Sequence, residues 1–256
     1  MRLAERVALI TGGGGAIGAA QAELFVREGA AVCVADLFAE KAESVAERLG
    51  ACALGVRLDV RSSADWASAV AATEAAFGPI SILCNNAGAN VRVAFDEQTE
   101  TQWELIVGTI LTGSFLGIKA VVPSMRRAGR GAIVNLGSLA SIRPGAGSPA
   151  YAAAKMGLVG LTRSAAGTYA GDSIRCVLIS PGHVDTPFIR EDAPYSPNDD
   201  RTSINNPANY QRRLAATPLG RLVQPEDVAR AVLFAVSEDA AMLTGSMITV
   251  DGGAAL

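Results

Sequence analysis

Short apolar segments alternate with longer segments of helical spacing along almost the whole chain. The apolar segments, which we predict to be strands, are 7–11, 31–36, 52–57, 80–85, 132–136, 174–180 and 247–250. The segments predicted to be helices are 17–28, 38–49, 62–77, 101–127, 151–170 and 225–237. Strands that alternate with helices form a parallel sheet covered on both faces, and such strands are continuously apolar. The order therefore predicts an α/β fold: a doubly wound (Rossmann), mostly parallel seven-stranded sheet with helices on both faces.

One segment departs from this alternation. Residues 187–218 are polar, contain Pro194, Pro197 and Pro207, and form a connection far longer than an ordinary loop. Long loops of this kind are commonly functional. We therefore predict a single dinucleotide-binding and catalytic domain over residues 1–256, with a substrate lid over residues 187–218.

The composition narrows the class of partner. Half of the residues are hydrophobic and 18% are charged, which indicates a folded chain with a large core. The net charge is −3 and no basic block is present, so we do not expect nucleic acid as a partner. No segment has 18 uncharged apolar residues in a row, and no signal peptide precedes the first strand. We therefore expect no membrane association and a cytoplasmic location.

The chain has four cysteines and a single histidine, His183. None of the cysteines forms a CxxC pair, and we predict small buried thiols in a reducing compartment. Zinc sites need cysteines and histidines clustered at ligand spacing, and the sequence has no such cluster. We expect no metal, which excludes zinc-dependent alcohol dehydrogenases.

A glycine-rich turn follows the first predicted strand. Its sequence is TGGGGAIG, at 11–18, and a helix begins there. A helix start offers unpaired N–H groups to a pyrophosphate, provided that glycines let the backbone approach. The residues predicted to bind it are Gly12, Gly15, Ala16, Ile17 and Gly18. A phosphate loop would need Lys-Ser/Thr after the last glycine, and Ala19-Ala20 stand there instead.

Two carboxylates follow the second and third strands. Asp36 can accept hydrogen bonds from the adenosine ribose and would repel the 2′-phosphate of NADP. Leu37 follows, and no arginine is nearby in the sequence, which favours NAD. Asp59, followed by Val60, could accept from the adenine amino group. The alternative for each carboxylate is a helix cap.

Tyr151 and Lys155 lie four residues apart at a predicted helix start, so their side chains share one face. The ordinary pKa of tyrosine lies near 10, and an adjacent ammonium together with a positive nicotinamide lowers it. This pair could take the proton of an alcohol while the cofactor takes hydride. Ser138, two residues past the fifth strand, could hold the substrate oxygen near Tyr151.

Further residues stand at the ends of the fourth and sixth strands. In an open parallel sheet these ends face one crevice, where ligands bind. We predict cofactor contacts from Asn86, Ala87, Gly88, Pro181, Gly182, Val184 and Thr186, and from Tyr151 and Lys155.

The sequence resembles the classical short-chain dehydrogenase/reductase family along its whole length. The resemblance rests on TGGGGAIG at 11–18, Asp36, Asp59-Val60, NNAG at 85–88, Ser138, YAAAK at 151–155 and PGHVDTP at 181–187. It implies Tyr151 as acid/base, Lys155 as pKa-lowering cation and nicotinamide-ribose ligand, and Ser138 as substrate orienter. It further implies that Val184 and Thr186 contact the nicotinamide carboxamide. Family members are usually tetramers or dimers, which implies a homo-oligomer, with a tetramer favoured.

Two positions depart from the family pattern. Ala16 stands where the family usually has glycine, which is tolerable if φ there is negative. Ile110 stands where the family usually has the asparagine that helps a water connect the lysine to solvent. The main-chain carbonyl of Ile110 could still bind this water if the helix is locally open. We expect hydride transfer with an altered proton relay.

The substrate, an alcohol or ketone, is not specified by these motifs. Arg92, Arg143 and His183 are predicted substrate contacts, and further candidates are Tyr195, Tyr210, Arg212 and Arg213. Ordinary solvated side chains are the alternative for each of them. Two other functions remain open: an NAD-binding regulatory or scaffold protein without catalysis, and a sugar-nucleotide epimerase or dehydratase. The latter class has a larger C-terminal substrate domain, for which the sequence leaves little room.

Overall fold

A computed structural model describes residues 1–145 and 147–256. Its centre is a seven-stranded sheet in the order β3-β2-β1-β4-β5-β6-β7, and every neighbouring pair is parallel. The strands are β1 (Val7–Thr11), β2 (Ala31–Asp36), β3 (Ala53–Arg57), β4 (Ile82–Asn85), β5 (Gly131–Leu136), β6 (Ile174–Pro181) and β7 (Met247–Val250). The doubly wound fold predicted from the sequence is confirmed. Its strand order reverses between β1 and β4, where such sheets form a crevice.

Helices cover both faces of the sheet. They are α1 (Ala16–Arg27), α2 (Ala39–Leu49), α3 (Ser63–Phe77), α4 (Glu100–Val107), α5 (Gly113–Arg127), α6 (Pro149–Tyr169), α7 (Pro187–Arg190), α8 (Pro207–Ala215) and α9 (Pro225–Val236). The inner strands β1, β2, β4, β5 and β6 are buried because each has a core on both sides, whereas the edge strands β3 and β7 are only partly buried. Ala8 and Ile10 of β1 face the core under α1, α2 and α9, whereas Leu9 faces the core under α3 and α5.

The segment predicted as one long helix is interrupted by a π-helical turn. Helices α4 and α5 are joined by Gly108–Thr112, which has π-helical geometry. The glycines inside α5 permit close packing: a Cβ at Gly113 would lie 2.8 Å from the Val60 side chain, and one at Gly117 would lie 2.6 Å from the Trp66 ring.

The combined segment Glu100–Arg127 is long and apolar enough to cross a membrane, with a mean hydropathy of 1.9 in its most apolar window. In this structure 44% of that window is buried inside the protein, and the segment packs between α3 and α6. Helices at the core of globular proteins share this length and composition, so one such segment is only weak evidence for a membrane span.

The cysteines are only partly as predicted. Cys33, Cys84 and Cys176 are buried thiols in strands, and burial raises the pKa of each of these thiols. Cys52 is exposed, because β3 begins one residue later than predicted and a 3₁₀ turn at Gly50–Cys52 precedes it. The prediction of a buried thiol is therefore wrong at Cys52.

The polar segment 187–218 contains α7 and α8 and is held by its own polar side chains. The amide of Asn198 donates to the carbonyls of Phe188, Glu191 and Ser196 at 2.7 to 3.1 Å. The Ser203 hydroxyl donates to the Arg190 carbonyl at 2.6 Å. These bonds explain how a segment with few apolar residues adopts a defined structure over the sheet edge.

Candidate active site

The carboxyl ends of the strands open into a cleft of about 900 Å³. All the predicted cofactor residues except Gly18 line this cleft, together with Ser138, Tyr151 and Lys155. Gly18 lies beneath the glycine turn, where a Cβ would be 2.3 Å from the Gly12 carbonyl oxygen. Its role is therefore to let α1 approach the turn, rather than to contact a ligand.

The glycine turn has the geometry needed for a phosphate group. Gly12 has a φ of +61°, a conformation that favours glycine. Gly15 is the N-cap of α1 and supplies no side-chain cap, so the first N–H groups of the helix remain available to an anion. Ala16 has no positive φ, which satisfies the condition under which its methyl group is tolerable. The turn thus fits a dinucleotide pyrophosphate.

Asp36 lies on the cleft wall and is held by two backbone donors. The amides of Gly14 and Phe38 both donate to its carboxylate at 3.1 Å. The bond from Phe38 closes a turn ahead of α2, whose N-cap is Phe38 and has no side-chain cap, so the helix-capping alternative for Asp36 is wrong. Because a carboxylate can accept about four hydrogen bonds, it keeps capacity for ribose hydroxyls.

Asp59 also lines the cleft, next to Val60. It pairs with Arg61, whose guanidinium holds the pKa of the Asp59 carboxyl below its ordinary value. The N-cap of α3 is Ser62, whose hydroxyl accepts from the amide of Asp65. The capping alternative for Asp59 is therefore wrong.

The sequence NNAG is anchored to β1. The Thr11 hydroxyl accepts from the amides of Asn86 and Ala87 at 3.0 and 3.1 Å, and the Asn86 side chain donates to the Gly12 carbonyl at 3.2 Å. These bonds fix the loop after β4 against the glycine turn. Thr11 was not singled out in the sequence, because its contribution depends on contacts about 75 residues away.

Lys155 is buried behind Tyr151. Its Nζ donates to the main-chain carbonyl of Leu136 at 2.6 Å and lies 5.5 Å from the centroid of the Tyr151 ring. Burial lowers the pKa of Lys155 from 10.5 to about 7. At neutral pH the amine is therefore only partly protonated in the cofactor-free chain.

Burial also raises the pKa of Tyr151, and the Ser138 hydroxyl and the positive charge of Arg92 oppose this rise. In the cofactor-free chain, desolvation of the phenolate therefore outweighs the nearby positive charge, and the lowered pKa expected with a bound nicotinamide stays a prediction. A positive nicotinamide would add charge that favours the phenolate.

Ser138 is joined to Lys155 through a second serine. The Ser138 hydroxyl accepts from the amide of Ala140 at 3.2 Å. The buried Ser141 hydroxyl accepts from the amide of Ser138 at 3.2 Å and donates to the main-chain carbonyl of Lys155 at 3.0 Å. Ser141 therefore ties the loop after β5 to α6, so that the Ser138 and Tyr151 side chains keep a fixed relation.

Comparisons with known proteins agree with this geometry. A family model described as enoyl-(acyl carrier protein) reductase matches residues 14–255. The 2,5-dichloro-2,5-cyclohexadiene-1,4-diol dehydrogenase LinX of Sphingobium indicum is 37% identical over 98% of this chain and 97% of its own. The cis-4-hydroxycyclohexanecarboxylate dehydrogenase of Sinomonas cyclohexanicum is 39% identical over 98% of this chain and 96% of its own.

The fold has a solved counterpart. A crystal structure of 3-ketoacyl-(acyl-carrier-protein) reductase from Brucella melitensis complexed with NADH has a TM-score of 0.88 and 30% identity, covering 99% of this chain and 100% of that one. The chain belongs to the classical short-chain dehydrogenase/reductase family. It is an oxidoreductase that moves hydride between a nicotinamide cofactor and a secondary alcohol or ketone.

Ile110, the departure from the usual family pattern, lies in the π-helical turn with its side chain in an apolar cluster. Its main-chain carbonyl accepts from the Ser114 hydroxyl at 2.6 Å. The relay through this carbonyl therefore stays a prediction. Thr109, in the same π-helical turn, lines the cleft.

The substrate half of this dehydrogenase cleft includes some of the predicted contacts. Arg92, His183, Tyr195 and Arg213 line it. Arg143 does not: its guanidinium is exposed and donates to the carbonyl of Leu256 at 3.3 Å, so it lies outside the cleft. The sequence could not show that the C-terminus returns to this point.

Tyr210 lies outside the cleft as well, and Arg212 lines a neighbouring cavity. Tyr195 crosses from the lid to the nucleotide half, where Lys41 donates to its hydroxyl at 3.4 Å. Lys41 therefore joins the cleft from α2, a contact that the sequence did not reveal. Within residues 1–145 and 147–256, no cluster of three or more His, Cys, Asp or Glu side chains could hold a metal ion.

Proposed function

We propose that this family member is an NAD(H)-dependent alcohol dehydrogenase or ketoreductase in which Ser138, Tyr151 and Lys155 are the catalytic residues. One observation carries the proposal. The hydroxyl of Ser138, the phenol of Tyr151 and the buried amine of Lys155 share one cleft with an uncapped helix start and its glycine turn.

When bound, the nicotinamide supplies the hydride acceptor for alcohol oxidation and the hydride donor for ketone reduction. The Tyr151 phenolate accepts the hydroxyl proton of the alcohol, and the phenol returns it in the reverse direction. The Ser138 hydroxyl accepts from the Ala140 amide and can turn its own hydrogen from the Tyr151 phenol to the substrate oxygen. That bond places the reacting carbon and stabilises charge on the oxygen.

Lys155 contributes its charge at a fixed position. The Leu136 carbonyl anchors Nζ behind the Tyr151 ring, from which a protonated amine favours the phenolate. Further residues hold the cofactor: Gly12, Gly15, Ala16 and Ile17 at the pyrophosphate, Asp36 at the ribose, Asp59 and Val60 at the adenine, and Val184 and Thr186 at the carboxamide.

NAD rather than NADP is the proposed cofactor. The Asp36 carboxylate faces the cleft where the adenosine ribose belongs and would repel a 2′-phosphate. Lys41 and Arg48 also line this half of the cleft. Each of these cations has a partner within the chain and is not assigned to the 2′-phosphate of NADP. Lys41 donates to the Tyr195 hydroxyl, and Arg48 pairs with Glu23 at 3.8 Å.

Cyclic secondary alcohols are the proposed substrate type. The names of the two relatives above specify a cyclohexadienediol and a hydroxycyclohexanecarboxylate, and both are ring alcohols. The apolar wall near Tyr151 includes Ala89 and Leu105, which suit a hydrocarbon ring.

The test is NAD(P)H formation with a panel of cyclic secondary alcohols. We expect NADH formation from at least one alcohol, with NAD preferred over NADP. Asp36→Ala should raise KM for NAD, because the ribose ligand is lost. It should also reduce the preference for NAD over NADP, because the repulsion of the 2′-phosphate is lost. A wild-type preference for NADP would contradict the role of Asp36, and NADH binding without turnover of any alcohol would favour the regulatory alternative.

We further propose a cytoplasmic homotetramer. Phe115 and Met156 are exposed on α5 and α6, and Phe234 and Met247 are exposed on α9 and β7. A tetramer with two kinds of interface needs two separate apolar surfaces, and these sites supply them. Light scattering of the purified protein tests this assembly, and a monomer would contradict it.

A further inference from the structure

Three arginines in the substrate region have no carboxylate partner. Arg92, Arg212 and Arg213 form no salt bridge within the described ranges 1–145 and 147–256. Most of the other arginines are paired, as Arg190 is with Asp185 at 2.5 Å. The remaining arginines that are unpaired in the described structure lie outside the cleft: Arg27, Arg130, Arg143, Arg163 and Arg175. The substrate region therefore holds positive charge that the chain itself does not neutralise.

Two of these arginines stand between two cavities. Arg92 and Arg213 line the catalytic cleft together with Ser138 and Tyr151. The same two side chains, joined by Arg212, line an adjoining cavity of about 970 Å³. Arg92 is near enough to Tyr151 for its charge to favour the phenolate, so an elongated substrate at Tyr151 would extend past Arg92 toward Arg213 and the adjoining cavity.

The positive charges are close enough to affect one another. Burial, followed by the charges of Arg92 and Arg212, lowers the pKa of Arg213 to about 10. Burial, followed by Arg213 and Arg212, lowers the pKa of His183 to about 4, so this imidazole is neutral at physiological pH. An anion bound among these groups would relieve repulsion that the free chain retains.

The hydrogen bonds of the arginines leave capacity for such an anion. Arg213 donates through Nη2 to the Thr202 carbonyl at 3.0 Å, and Arg92 donates to the Ser196 hydroxyl and to the Pro197 and Phe188 carbonyls at 3.1 to 3.5 Å. All of these acceptors are neutral, so the positive charge of both guanidinium groups stays unmatched. The Arg213 Nη1 has no acceptor among the described residues and is closed to a water-sized probe, so an anion bonds to it only when the side chain turns toward the cleft.

The acidic residues of the cleft do not offset these charges. Asp36, Glu40 and Asp59 line the nucleotide half. Glu191 lies on the lid, where it is exposed and within 4 Å of no arginine or lysine nitrogen in the described part of the chain. Among the described residues that line the cleft, no acidic side chain therefore neutralises Arg92 or Arg213.

We infer that the substrate is a secondary alcohol or ketone that carries an anionic oxygen group, a carboxylate in the simplest case, which Arg213 binds together with Arg92. The inference rests on the proposed dehydrogenase function and specifies its substrate class. The planar guanidinium fork suits a carboxylate because two parallel N–H groups meet its two oxygens.

The kinetic test compares 4-hydroxycyclohexanecarboxylate with cyclohexanol. We expect the wild type to have a higher kcat/KM for the carboxylate alcohol. In Arg213→Gln the ratio of the two kcat/KM values should fall about 10- to 100-fold, the usual effect of losing a charge-assisted hydrogen bond. Arg213→Lys should lose less, because it keeps the charge without the fork.

Arg143→Gln is the matched control, since this arginine is exposed outside both cavities. This substitution should leave kcat/KM unchanged for both alcohols. An unchanged substrate ratio in Arg213→Gln would overturn the inference.

A binding test separates the anion site from the proposed catalysis. His183 is the only histidine, so one imidazole resonance reports on this region by NMR. At pH 7.5, cyclohexanecarboxylate, which has no alcohol to oxidise, should shift the His183 resonance saturably in the NADH-saturated wild type but not in Arg213→Gln. Cyclohexanol should leave the resonance of Arg213→Gln and of the wild type at or near its free position. This pattern without turnover of either alcohol would refute the dehydrogenase function alone, and no shift with saturating cyclohexanecarboxylate would refute the anion site.

Discussion

At the scale of single residues, the site depends on burying groups that water would keep charged. The Lys155 amine is 3% exposed and has the Leu136 carbonyl as its hydrogen-bond acceptor. The Tyr151 phenol lies beside this amine, and burial raises its pKa because the phenolate is desolvated. The protein therefore holds this pair close to neutral charge until a charged cofactor and a substrate alter the balance.

The free energy of unfolding should depend on pH because Lys155 is buried. Between pH 7 and 10.5 the unfolded chain binds this proton and the folded chain does not, so stability rises with pH in that window. Below pH 7 the folded chain bears the full free-energy cost of burying the charged Lys155 ammonium, and Lys155→Met removes this cost. The free energy of unfolding of the wild type, relative to Lys155→Met, should rise by up to ~1.4 kcal/mol per pH unit between these limits.

The measurement is denaturant unfolding at several pH values. Lys119→Met, which removes an exposed ammonium from α5, is the matched control. A difference between the wild type and Lys155→Met that stays constant with pH would show that Lys155 does not change its charge on folding.

At the scale of elements, catalytic geometry depends on joining the loop after β5 to α6. Neither element fixes the other by sequence proximity alone, and the Ser141 hydroxyl connects them. The π-helical turn at Gly108–Thr112 acts at the same scale. It widens the helix at Ile110, whose carbonyl accepts from the Ser114 hydroxyl.

Removing the connecting hydroxyl should impair catalysis more than cofactor binding. In Ser141→Ala the Ser138 amide and the Lys155 carbonyl lose their partner, and the Ser138 hydroxyl shifts relative to Tyr151. We expect kcat to fall about 10- to 100-fold, as small misplacements of reacting groups do. The dissociation constant for NADH, measured by fluorescence, should stay near that of the wild type.

Ser164→Ala, an exposed serine on the same helix, is the control and should behave as the wild type. If Ser141→Ala merely lowered the yield of folded protein, with kcat per folded molecule unchanged, Ser141 would be a structural residue only.

The sequence predicted those elements and residues whose evidence is local. The spacing of Tyr151 and Lys155, the glycine turn and the place of Asp36 at a strand end depend on short-range periodicity, and the structure brings them to one cleft. Ser141 and Lys41 escaped prediction because their roles come from tertiary contacts. Lys41, for example, meets a tyrosine 154 residues away.

At the scale of the whole molecule, the parallel sheet places both halves of the site along the carboxyl ends of its strands. Strands β1 and β2 end at the nucleotide, and β5 and β6 end at the reacting groups. The lid spans both halves, because Tyr195 contacts Lys41 while its carbonyl accepts from the amide of Asn90 at 2.8 Å. Under the proposed function, the substrate would lie between Tyr151 and the two arginines of the cleft, Arg92 and Arg213.

The central claim is that the Tyr151 hydroxyl transfers the substrate proton, and its replacement by phenylalanine tests this most directly. With any alcohol that the wild type oxidises, kcat of Tyr151→Phe should fall by about 100-fold or more, the usual contribution of a general base. NADH binding should persist, and Tyr210→Phe, outside the cleft, should retain full activity. Wild-type turnover in Tyr151→Phe would contradict the account.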